Sequence, residues 1–277
     1  MLFRFILLNF DIKRTVITIP RIVSILFVIF QGLGMLSYPG GTIHDQSTAG
    51  YSFTSNFFSD MGAYEARNGD PNYLSMIFFS ISLMLVGVSF AMYYLVLPII
   101  LGINKINYYL SWVGSIFAFF GSICLIGTGL TPTDLVFDIH VFFANNIFHS
   151  FLITSFFYSI VIFNSKIFKK RYAIGYAIFF ISILLYVGVL QFGPSVNSGQ
   201  SELVFQVVSQ KLIVIVFFLT VVHQTYGLEN VNLGKSNYQE VDLEHNPTAR
   251  VEELKARVLK ENVNDPEDIM LLIMEIF

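Results

Sequence analysis

The side chains of this sequence that could do chemistry are few, and the most informative is Lys211. It lies some eight residues into an apolar run, too deep for its ammonium to snorkel outward in comfort. An ionisable group at such a depth faces a partner or a wet cavity. Asp60, Asp134 and Asp138 are its candidate partners. Gln210 stands beside it, with Gln206 one helical turn away at i,i+4, and Gln191 falls at a similar depth in the preceding run. These residues point to a polar pocket in the outer half of a helix bundle.

A second group lies between Thr131 and His149, TPTDLVFDIHVFFANNIFH. Thr131-Pro132-x-Asp134 has the order N-cap, N1 proline and N3 acid, which places a helix start near 132. At 100° per residue, Asp138, Phe142, Asn145 and His149 share one stripe, with Asn146 beside it. His140 points nearly opposite His149, since nine residues make two and a half turns. The stripe descends about 16 Å at 1.5 Å per residue, so Asp138 sits near the surface and His149 near the membrane middle. Asn145, Asn146 and His149 also fit a plainer role, bonding one membrane helix to the next.

Metal and nucleophile chemistry find little support. His44, His140, His149, Asp60 and Asp138 are ligand types on one side of the membrane. Yet no histidine pair has HxxxH or HxxH spacing on one helix face, the economical way to hold zinc. His140, His149 and Asp138 are therefore weak metal candidates, and no cofactor is expected. A Ser–His nucleophile would join Ser59 to a histidine, but nothing around Ser59 resembles a strained nucleophile turn. The single cysteine, Cys124, lies in an apolar run, where it fills space.

The elements that must position these groups are membrane helices. Hydrophobic residues make up 55% of the chain and charged residues 13%, about half the charge of a soluble domain. Apolar windows longer than 18 residues recur, which reads as an all-α fold of six transmembrane helices. The spans fall at about 19–38, 73–97, 108–130, 137–163, 172–192 and 203–226, within a membrane domain of residues 15–226. Pro98 marks the expected end of the second span. Gly114, Ala118 and Ser122 form a small-residue stripe that lets helices approach closely. The loop from Gly40 to Asn72 is long for a bare connection, and its aromatics (Tyr51, Phe53, Phe57, Phe58 and Tyr64) predict that it packs on the bundle.

Charge sets the expected orientation. Arg4, Lys13, Arg14, Arg21, Lys105, Lys166, Lys169, Lys170 and Arg171 cluster at the N-terminus and in alternate turns, whereas the other loops hold Arg67 alone among many acids. The positive-inside rule puts both termini in the cytosol. Residues 1–14 read as an interfacial segment, apolar with interspersed bases. Residues 227–277 read as a small helical cytosolic tail, with helix starts at Asn246-Pro247 and Asp265-Pro266. Its apolar end makes 246–277 a candidate docking element for a cytosolic protein. A net charge of −3 gives no nucleic-acid footprint.

Four features together resemble a known family. They are NFFSDMG in the first long loop (Asn56–Gly62), GTGLTPTD closing the third span (Gly127–Asp134), His140 opening the fourth, and Gln210-Lys211 in the sixth. The combination resembles the bacterial and archaeal six-helix membrane family catalogued as domain of unknown function 998, over roughly residues 15–226. The Ser59-Asp60-x-Gly62 segment is also similar to the Frag/DRAM/Sfk group, linked to lipid handling and membrane traffic. Neither likeness implies an established reaction. They imply that Ser59, Asp60, Asp134, His140 and Lys211 form the shared site, with Lys211 standing where the first family often has arginine.

Three functions follow as expectations. The first is an outer-half pocket that binds a lipid headgroup or small amphiphile, with membrane lipids as partners. The second is an intramembrane metal-dependent hydrolase of lipid amides or esters. The third is a non-catalytic adaptor acting through the tail.

Overall fold

The computed structural model describes residues 11–102, 104–165 and 167–231, together with residue 256. The tail helices expected beyond Asn246 and the interfacial segment through residue 10 lie outside the described residues.

A π-turn (Arg14–Thr18) runs straight into α1 (Ile19–Ser37). Then follow α2 (Tyr73–Leu101), α3 (Lys105–Leu130), α4 (Phe137–Asn164), α5 (Lys170–Phe192) and α6 (Gln200–Glu229). All six are long and apolar enough to cross a membrane, the first counted from Arg14. No strand forms among the described residues. Each helix packs on its neighbours in the chain, and α6 returns to α1 to close the ring. The long loop sits at one end of this ring, here the loop end. Arg21 marks the opposite end, where its guanidinium donates to Thr225 Oγ1 and to Glu229 at 2.8 Å each.

Aromatic rings fill the centre. Phe217 of α6 packs against Phe151, Phe179 and Phe90 with centroids 4.7, 5.1 and 5.2 Å away, and Phe218 stacks on Phe27 of α1 at 4.2 Å. Without a hydrophobic drive in lipid, such dispersion contacts and close small-residue approaches hold helices together. Gly114, within the expected stripe, shows why the stripe is small: a Cβ there would lie 3.0 Å from the Tyr158 ring.

Two helix boundaries differ from expectation. The second span does not stop at Pro98; α2 continues to Leu101. Proline removes the N–H that would bond the Tyr94 carbonyl, and Ser115 of α3 supplies the missing donor to that oxygen. Nor does the fourth helix begin near 132. Residues 132–136 form a turn, closed by Val136 N donating to Pro132 O at 3.0 Å, and α4 starts at Phe137. The acid expected at N3 is used elsewhere, as described below.

Candidate functional site

The loop between α1 and α2 folds over the loop end as a cap. At its base Gly41 takes φ +83°, and a Cβ there would lie 2.4 Å from Asn68 N, so the two arms of the loop meet only over glycine. A short 3-10 turn, Phe58–Gly62, rests on the bundle. Gly62 is again a close approach, for a Cβ would lie 2.5 Å from the Phe79 ring.

Asp60 organises the cap from inside. It is 2% exposed. One carboxylate oxygen accepts from Phe57 N (2.9 Å) and Asn56 Nδ2 (3.1 Å). The other accepts from Arg67, through Nε at 3.0 Å and through its terminal nitrogen at 2.9 Å. A buried carboxylate survives when charge and hydrogen bonds both answer it. The same charge acts on two phenols of the cap. Burial, reinforced by Asp60, pushes the Tyr38 hydroxyl up to about 12 and Tyr51 well above its ordinary range.

Residues along the loop-end half of α6 tie the cap down. Gln200 Nε2 donates to Ser55 Oγ (2.9 Å), Phe58 N donates to Gln210 Oε1 (3.1 Å), and Lys211 Nζ donates to the Asn56 carbonyl (2.6 Å). Lys211 is 2% exposed. The rings of Phe53, Phe58 and Tyr51 surround its ammonium, with centroids 5.0, 5.2 and 5.4 Å away. Each such face is worth about 0.5–2 kcal/mol to a desolvated cation. One carbonyl and three rings therefore carry this buried charge.

The expected direct pairing of Lys211 with an aspartate does not occur, because each aspartate is engaged or placed elsewhere. Asp60 is filled by donors of its own loop. The Asp134 carboxylate accepts from Tyr64 N (2.8 Å) and Glu65 N (2.9 Å), which stitches the cap to the α3–α4 turn. Asp138 is exposed in the first turn of α4.

The stripe on α4 divides as its phasing requires. His149 Nδ1 donates to the Asn145 carbonyl (2.8 Å), and its Nε2 accepts from Gln191 of α5 (3.2 Å). That histidine is a satisfied link between helices. Asn145 is half-buried, and Asn146 donates back to Phe142 O of its own helix at 2.8 Å. His140 instead turns inward and is 2% exposed. Its Nδ1 lies 2.6 Å from the Thr131 carbonyl, and its Nε2 is buried with no hydrogen-bond partner. His44 donates to the Val196 carbonyl at 2.8 Å, joining the cap to the α5–α6 turn. Among the described residues no three His, Cys, Asp or Glu side chains converge as a metal would require.

Beneath the cap lies a cavity of about 100 Å³. Phe58 and Ser59 of the cap line it together with residues of α1, α2, α3, α4 and α6. Its walls are apolar except for Gln31, Ser59, Thr128, His140 and Gln210. Phe217 and Phe218, which begin the aromatic centre, close its depth. The arrangement can hold a small, mostly apolar guest by one polar end.

Of the residues expected at a site, Ser59, His140 and Gln210 meet at this cavity. Lys211, Asp60 and Asp134 build and fasten its cap. Asp138, Asn145 and His149 stand apart from it. Sequence reasoning missed Gln31, Asn56 and Arg67. Gln31 is an isolated amide deep in an apolar span, and that isolation was a readable signal.

The described residues form an all-helical fold, and its six helices long and apolar enough to cross a membrane are consistent with a multi-pass integral membrane protein. Comparison with protein-family models, with curated proteins and with solved structures finds no match to this chain.

Proposed function

We propose that this protein is a six-span membrane protein, both termini cytosolic, whose capped outer-half cavity receives a membrane amphiphile without performing chemistry on it. The observation that carries the reading is that His140, a residue of the apolar cavity's wall, has a buried Nε2 without a partner. A lone pair left without a donor costs about 1–3 kcal/mol, and a guest that supplies the donor recovers that cost. Lys211 serves as the fastener of the cap in this reading, not as a headgroup ligand. The likeness to the family catalogued as domain of unknown function 998 belongs to the same reading. In this reading the family's shared positions would be those of the cap, its fastenings and the cavity wall.

Reconstitution in nanodiscs with a tritiated long-chain alcohol tests the proposal. Saturable binding is expected, and filling the cavity with Ala144→Phe should remove it while the bundle stays folded. Binding that survives the filled cavity would sink the proposal. Orientation is checked separately, by labelling cysteines placed at Asn104 and Asn197 in intact cells. Only the second is expected to react with an impermeant reagent.

A further inference from the structure

The donors and acceptors of the cavity wall select the kind of guest it takes, given the reading just proposed. The Thr131 carbonyl can only accept, so the 2.6 Å contact requires the proton of His140 on Nδ1. A neutral imidazole then presents Nε2 as a bare acceptor, and that atom is buried without a donor. Gln31 is fixed by similar logic. Ser82 spends its one hydroxyl proton on Phe79 O (2.7 Å), so at 2.6 Å it must accept from Gln31 Nε2. Gln31 Oε1 is left as a second buried acceptor with no donor. Gln210 Oε1 is already engaged, accepting from Phe58 N at 3.1 Å. The Ser59 hydroxyl can answer in either sense.

Among the described residues no charged side chain lines the cavity. The nearest cations are committed: Lys211 to the Asn56 carbonyl and its three rings, Arg67 to Asp60. A phosphate or carboxylate head would meet two lone pairs and no counter-charge. A quaternary ammonium would find neither a carboxylate nor a use for the lone pairs. We infer that the cavity takes an uncharged amphiphile bearing a hydroxyl group, its O–H donated to His140 Nε2 and its chain leaving towards the bilayer between α4 and α6.

Space and helix lengths agree. At roughly 10–15 Å³ per water-sized position, the cavity holds about seven to ten such positions, enough for a polar head and the first carbons of a chain. The rest of the chain needs a way out. Cross-helix pairs Phe148–Tyr186, Phe156–Phe180 and Tyr158–Tyr176 fix the register of α4 against α5. Carried to the loop end, that register sets Phe192, the last residue of α5, opposite Phe143. The first six residues of α4 therefore stand above α5, a rise of about 9 Å. Cavity-lining residues near this step, Ala144 and Ile147 of α4 and Gln210 and Val214 of α6, are half-buried.

Competition in phosphatidylcholine nanodiscs tests the inference. Tritiated 1-hexadecanol is displaced by unlabelled hexadecanol, by hexadecyl methyl ether or by hexadecyl phosphate. The alcohol is expected to compete at least tenfold better than either of the others. In His140→Phe, and in Gln31→Leu as the second variant, its advantage over the ether should shrink severalfold. If the methyl ether competes equally, the hydroxyl inference falls while the amphiphile cavity stands. A tighter hexadecyl phosphate would overturn it in favour of an anion site. If hexadecanol shows no saturable binding, the inference and the proposed function both fail.

Discussion

Replacing Asp60 by asparagine loosens the cap and leaves the bundle intact. The carboxylate accepts on both oxygens, from Phe57 N and Asn56 on one side and from Arg67 on the other. An asparagine of the same shape keeps one acceptor and turns an NH₂ towards the remaining donors. Two hydrogen bonds to a charged acceptor are lost, at about 1.5–3 kcal/mol each. Part of this returns, because a carboxylate no longer has to be buried. Water also takes over the Arg67 guanidinium, whose side chain is 41% exposed. The net cost comes to about 2–4 kcal/mol, which is roughly a 30- to 700-fold shift at tenfold per 1.4 kcal/mol. All of these partners lie within the cap, so the loss falls on its closure. Hydrogen exchange of residues 55–67 in nanodiscs should accelerate by that factor, with the helices unchanged. Amphiphile binding should weaken with it, because Phe58 and Ser59 line the cavity only when the cap is seated. Unchanged exchange in the cap, or a bundle that loosens equally, would refute the reasoning.

Other outcomes follow from single contacts. Gly62→Ala forces the Phe79 ring back from a 2.5 Å approach, costs about 1–3 kcal/mol and reduces amphiphile capacity in the nanodisc assay, since Phe79 lines the cavity. Ser115→Ala strands the Tyr94 carbonyl beside Pro98 and costs about 1–3 kcal/mol in detergent unfolding. Adding Pro98→Ala should recover most of it by restoring the helix donor, and purely additive losses would contradict that pairing. Tyr38 keeps its proton until about pH 12, against 10.0 for a free phenol. Its neutral form is favoured in the folded cap, so the stability it contributes is complete below pH 10 and is lost as pH climbs through about 12. The difference in tyrosinate absorbance between wild type and Tyr38→Phe should step near 12, and a step near 10 would argue against its burial. Lys211→Met removes the 2.6 Å bond to the cap and should weaken hexadecanol binding about tenfold or more while the bundle stays folded.

Much of the frame was legible in the sequence, for a physical reason. A lipid-spanning helix must be long, apolar and internally bonded, so six runs of hydrophobicity suffice to count six helices. The phasing of His140 against His149 was equally readable, since helical geometry alone sends them apart. Of the five loop aromatics, Tyr51, Phe57 and Phe58 are half-buried as expected, whereas Phe53 and Tyr64 stay exposed, at 54% and 39%. Other features depended on which partner arrives first. In sequence Lys211 points to carboxylates, but Asp60 is saturated by its own loop and the ammonium bonds a backbone carbonyl, which sequence does not display. Asp134 has the spacing of a helix N3 acid, yet two amides 70 residues away in the chain compete for it and win. Pro98 was read as a stop because its rescuer, Ser115, lies on another helix.

The most direct measurement is the ¹⁵N resonance of His140 in nanodiscs, assigned by its absence in His140→Phe. Without guest, Nε2 is expected to be an unprotonated ring nitrogen. On titration with 1-hexadecanol it should shift towards the hydrogen-bonded value and saturate in step with binding. Saturable binding with an unmoved His140 resonance, or an Nε2 already protonated at neutral pH, would contradict the account.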